Sequence, residues 1–96
     1  MTVGITVPDV ALDVLDLRTE LKRRFNRVRV EAAGSGACRL VMEREVAGRL
    51  LGRAQDTAAG AYHGPASWKR SAEGLVRAMR EQLREADTLA ERMKNT

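Results

Sequence analysis

Cys38 and His63 are the one thiol and the one imidazole in a chain of 96 residues. A thiolate activated by an imidazole is a strong nucleophile, so this pair is the first place to look for covalent catalysis. The flanking residues argue for a plainer role. Cys38 falls on the inward side of an alternating segment, where a lone cysteine behaves as a small buried hydrophobe. His63 stands among glycines and reads as a solvated loop residue. One Cys and one His would need two carboxylates or a second chain to hold zinc, so no metal, cofactor or enzymatic activity is expected. Gly34-Ser35-Gly36 lacks the GxxxxGK[ST] pattern and the strand-to-helix setting of a phosphate cradle, and reads as a turn. No small-molecule substrate is evident.

Charged residues form two further groups. Asp9, Asp13, Asp16 and Glu20 recur at 4-3-4 spacing, an acidic stripe on a helix. On an exposed helix face, carboxylates do not converge as a hard cation requires, so a solvated face is expected. Lys22, Arg23, Arg24, Arg27 and Arg29 fall within eight residues that contain no acid, inside a chain of net charge +4. These five are the candidate nucleic-acid contacts; phosphate binding through them would be strongly salt-dependent. With only one Phe, one Tyr and one Trp, the chain has little with which to stack unpaired bases.

The elements that would carry these residues follow from hydrophobic period. Val3, Ile5 and Val7 alternate with polar or small neighbours and predict a short strand over 2–7. Pro8 and Asp9 open a helix, with Asp9 as N-cap, and Val10, Val14, Leu17, Leu21 and Phe25 continue it to about residue 25. Asn26 is suited to the left-handed position that ends it. The period then becomes two: Val28, Val30 and Ala32, a glycine turn, then Cys38, Leu40 and Met42, which predicts a β-hairpin over 27–43. An all-α helical bundle is the alternative, but it places Arg44 in an apolar stripe. A second helix is predicted over 44–59, where Gly48 and Gly52 cost about 1 kcal/mol each against alanine and imply close approach by another backbone. Residues 60–66 form a loop, and Pro65 or Ser67 opens the last helix.

That last helix, about 67–93, is the strongest signal in the chain. Trp68, Ala72, Leu75, Met79, Leu83, Ala86, Ala90 and Met93 keep one face apolar at a helical repeat. At 1.5 Å per residue it is about 40 Å long, against a radius of gyration of about 13 Å for a domain of this size. It must protrude, wrap or pair with another long helix. The first helix is expected to cover part of its face, which leaves Leu83 to Met93 for a second molecule.

The expected fold is a single α+β domain over residues 1–96, mostly helical: helix, hairpin, helix and a long C-terminal amphipathic helix. The lone cysteine, the lack of a signal-peptide pattern and the lack of an apolar membrane span fit a cytoplasmic protein. The abundance of Ala and Arg points to a GC-rich genome, of an actinobacterium or one of its phages. The order of the hairpin Val28 to Met42 and the helix Glu73 to Met93 is similar to that of the YbaB nucleoid-associated family, although residues 44–59 read as helix where that family has strand. A lone Trp between long helical segments is superficially similar to the WXG100 helical hairpins, but Lys69-Arg70 follows Trp68 in place of x-Gly. The function expected is a non-catalytic interaction module, a homo-oligomer or a binder of a helical protein. Its interface residues would be Trp68, Leu75, Met79, Leu83, Ala86, Ala90 and Met93, with Trp68 as a hot spot. The alternative is a small DNA-binding protein acting through Arg23, Arg24, Arg27 and Arg29.

Overall fold

A computed structural model describes residues 1–61 and 64–94. The alternating N-terminal residues form strand β1 (Thr2–Pro8), followed by two short helices, α1 (Ala11–Val14) and α2 (Glu20–Asn26). The hairpin is β2 (Arg29–Ala32) and β3 (Ala37–Glu43), and two longer helices come after it, α3 (Arg44–Ala58) and α4 (Ala66–Lys94). The fold is α+β and mostly helical. Gly34 and Gly36 at the hairpin turn adopt φ of 103° and 74°, a region that favours residues without a β-carbon.

The sheet is antiparallel in the order β1-β3-β2, so residues 2–8 supply the third strand that a marginal two-stranded hairpin needs. The register sets Val7 opposite Cys38 and Ile5 opposite Leu40. Val3, Ile5, Val7, Cys38, Leu40 and Met42 are all buried, whereas Thr2, Thr6, Arg39 and Glu43 on the other face are exposed. One sheet face thus meets the helices and the other meets water, as period-two patterning requires.

The helical layer is α3 packed antiparallel against α4. Val46, Ala47, Leu50 and Ala54 face Ala72, Leu75, Val76, Met79 and Leu83, and all nine are buried. Burying a Leu or Met side chain contributes about 1.5–3 kcal/mol, so this helix pair and the sheet beneath it carry most of the core. The main partner of α4 is therefore α3; β1 and the short first helix α1 cover a smaller part of its face. Gly48 and Gly52 have no neighbouring backbone against them: Gly48 meets only the Arg44 Nη1 atom at 3.5 Å from a β-carbon position, and Gly52 meets nothing within 4 Å.

The continuous helix expected over 10–25 is broken. The N-cap of α1 is Val10 and not Asp9, with no side-chain cap bond; the Asp9 carbonyl accepts from the Leu12 amide at 3.0 Å just ahead of the helix, and α1 ends after one turn at Leu15. Asp16 turns left-handed at φ 56°, and the Leu17 amide donates to the Leu12 carbonyl at 2.7 Å. This bend drives Leu12, Leu15 and Leu17 together into the core. Thr19 then starts α2, its hydroxyl accepting from the Lys22 amide at 3.2 Å. The left-handed residue that ends α2 is Arg27, at φ 59°; Asn26 stays helical and its side-chain amide donates to the Lys22 carbonyl.

At 29 residues, α4 is about 43 Å long at 1.5 Å per residue, close to the full 47 Å length of the molecule. No helix among the described residues is long and apolar enough to cross a membrane.

Candidate interaction surface

Cys38 lies in the central strand and is buried, and burial pushes its thiol up, away from the reactive thiolate. His63 lies outside the described residues. Among the described residues, no three His, Cys, Asp or Glu side chains are placed to hold a metal ion. The acidic stripe is dispersed by the break in the helix. Asp13 accepts two bonds from Arg18, at 3.1 and 2.7 Å, and that guanidinium holds its carboxyl below the ordinary value. Asp16 pairs with Lys22 at 3.2 Å, and Glu20 with Arg24 at 3.1 Å.

Of the five bases in the run, four have roles within the chain. Besides the pairs just given, Arg29 contacts Glu31 at 3.0 Å, and the Arg23 Nε donates to the Leu17 carbonyl at 2.9 Å. Arg27 alone has no side-chain partner among the described residues. Arg23, Arg24, Arg27 and Arg29 do line one shallow depression, shared with Thr2 and Glu43.

The apolar stripe of α4 divides into two parts. Leu75, Met79 and Leu83 are buried within the single chain, and Trp68 and Ala86 are half-buried against the same core. Of the seven residues expected at an interface, these five are thus taken up by the chain's own fold. The Trp68 ring covers Gly64, where a β-carbon would come within 2.7 Å of Cε3, and leaves Trp68 half-buried within the single chain. The second part begins where Arg44 grips Asp87, its Nε and Nη2 donating at 2.9 and 3.0 Å to the two carboxylate oxygens. Beyond that clamp, Leu89 is 59 % exposed, Met93 is exposed and Ala90 is half-exposed.

Comparison of the chain with family models, with curated proteins and with solved structures finds no match.

A second apolar site lies where the hydrophobic period pointed inward. In α2 not one residue is buried; Leu21 is 76 % exposed and Phe25 is 82 % exposed. At about 100° per residue, Leu21 and Phe25 share one side of the helix and Arg23 stands about 180° from their midpoint. The helix is therefore held to the body by its polar side, through Arg23 and the pair of Lys22 with Asp16, while its apolar side faces water. The signal for this lies at Thr19: once a cap starts a new helix there, Leu21 and Phe25 no longer continue the stripe of Val10, Val14 and Leu17.

Proposed function

We propose that this protein is a non-catalytic self-association module whose contact surface includes the tip of α4. The observation that carries this reading is the run of α4 beyond Asp87. Residues 88–94 continue about 10 Å beyond the Arg44–Asp87 pair at 1.5 Å per residue, and they present Leu89 to water. A large aliphatic side chain on a regular, well-formed helix favours burial against a second surface. The buried thiol and the dispersed carboxylates support a role in binding over one in chemistry.

Phosphate binding has weaker support, because the bases from Lys22 to Arg29 are mostly engaged with acids and carbonyls of the same chain. Solution mass measured by light scattering across a concentration series tests the proposal. Wild type should reach a multiple of the 10.6 kDa chain mass, and Leu89→Glu should lower it without loss of helix content by circular dichroism. A wild type that stays at one chain mass up to high micromolar concentration overturns it.

A further inference from the structure

Glu85, Leu89 and Arg92 stand on one side of α4 near its C-terminal end. At about 100° per residue, Glu85 and Arg92 differ by only about 20° around the helix axis, and Leu89 lies within about 60° of both. All three are exposed, and neither Glu85 nor Arg92 has an ion-pair partner among the described residues. Asp87, about 160° from Leu89 around the axis, is the acid that faces the body, where Arg44 of α3 holds it. The side that carries Leu89 is thus turned away from α3.

That side is a contact side one to two turns earlier. Gln82, within about 20° of Leu89 around the axis, bonds both backbone groups of Thr6 on β1, and Ala86 is half-buried against the core. The sheet runs out at the level of Asp87, because the Arg44 that holds Asp87 also donates its amide to the carbonyl of Met1, the residue before β1. Leu89 and Arg92 therefore continue a contact side of the helix past the end of what it contacts.

The charges on this side complement themselves. The acid precedes Leu89 by four residues and the base follows it by three. When two such helices lie antiparallel about a two-fold axis near Leu89, Glu85 of each comes to the level of Arg92 of the other, and two ion pairs flank the two leucines. Parallel helices in register leave each of these acids about 10 Å along the axis from the other copy's Arg92, at 1.5 Å per residue.

Resting on the self-association reading, we infer that the occupant of this face is the same face of a second copy, with the α4 tips antiparallel and Glu85 of each paired with Arg92 of the other. The surface is its own partner, so the assembly closes at a dimer. Two turns of helix from each chain bury less than the about 800 Å² per partner of a standard interface, which places this dimer in the weak, transient class. The rim pairs set the orientation, as flanking charges do between paired helices.

The charge variants Glu85→Arg and Arg92→Glu test the arrangement, and Leu89→Glu tests the face itself. Each is checked for native helix content by circular dichroism. In sedimentation equilibrium at low salt and up to high micromolar concentration, each charge variant alone should weaken the dimer about three- to tenfold, because both rim pairs turn from attraction to repulsion. Their equimolar mixture should associate like wild type, since the mixed dimer again sets an acid against a base at both ends. If Leu89→Glu is monomeric but mixing the charge variants restores nothing, or if each charge variant alone dimerises like wild type, the antiparallel arrangement fails and self-association through the tip stands. If Leu89→Glu dimerises like wild type, or wild type stays at one chain mass, both readings fall.

Discussion

The side-chain amide of Gln82 on α4 pairs with both backbone groups of Thr6 on β1: its Oε1 accepts from the Thr6 amide at 2.8 Å, and its Nε2 donates to the Thr6 carbonyl at 2.8 Å. Thr6 lies in an edge strand, so this one side chain stands where another strand would pair, and closes that part of the edge. It also fixes the height at which α4 crosses the sheet. Gln82→Ala removes both bonds, and because the freed groups can reach water the cost should be about 1–2 kcal/mol in urea unfolding. Gln82→Glu keeps the acceptor, loses the donor and should fall between the two.

The clamp between Arg44 and Asp87 makes part of the stability depend on pH. The guanidinium holds the Asp87 carboxyl below its ordinary value of 3.8. A lowered folded-state value means that the contribution is fully present above about pH 3.8, the unfolded value, and is lost as pH falls through the folded value. The thermal midpoint of Asp87→Asn should therefore lie below that of wild type at pH 7, and the gap should close as the pH is taken below 3.8. A gap independent of pH would mean that the clamp contributes through packing alone.

Gly64 and Trp68 give a spectroscopic readout. A β-carbon at position 64 would come within 2.7 Å of Trp68 Cε3 and 3.1 Å of Cζ3, so the ring must move to admit it. Gly64→Ala should shift the emission of this sole tryptophan to the red, with a stability loss of about 1 kcal/mol typical of overpacking. Unchanged emission would show that the ring does not rest on the glycine.

Arg27 holds φ at 59°, a conformation that costs a side-chain-bearing residue about 1 kcal/mol or more. Arg27→Gly should relieve that cost and raise the unfolding midpoint slightly, less the entropy that glycine brings to the unfolded chain. Chemical denaturation would read the change.

Leu83 and Leu89, six residues apart on one helix, should behave differently. Leu83 is 2 % exposed, and Leu83→Ala should cost about 2–5 kcal/mol. Leu89→Ala, at an exposed position, should change the stability of the isolated monomer by no more than about 0.5 kcal/mol. A charge at Leu83 would unfold the chain before it could report on association, whereas a charge at Leu89 meets water in the monomer.

The strands, α3 and α4 were legible because their apolar residues repeat at one period throughout. Val3 to Val7 and Cys38 to Met42 alternate, and Trp68 to Ala86 recur every three or four residues, so each pattern admits one element. Residues 10–25 misled for the opposite reason. Val10, Val14, Leu17, Leu21 and Phe25 fit one helix on paper, but Leu12 and Leu15 also need burial, and a straight helix cannot turn all of them to the sheet. The chain resolves this at Asp16, which accepts the left-handed turn, and at Thr19, which caps α2. The basic run was legible as a charge cluster. Its use within the chain was only partly legible: the Glu20–Arg24 pair follows from i,i+4 spacing, whereas Asp16 and the Leu17 carbonyl become neighbours of Lys22 and Arg23 only after the bend. The division of the α4 stripe was also hidden, because periodicity shows which side of a helix is apolar and not how far its cover extends.

Cys38 gives the molecule a built-in clock. It is the one thiol in the chain, it sits in the middle strand between Val7 and Ala32, and it is sealed beneath the helical layer. A thiol reagent reaches it only when the sheet and helices part, so its modification rate counts openings of the core under native conditions, with no label added and no denaturant present.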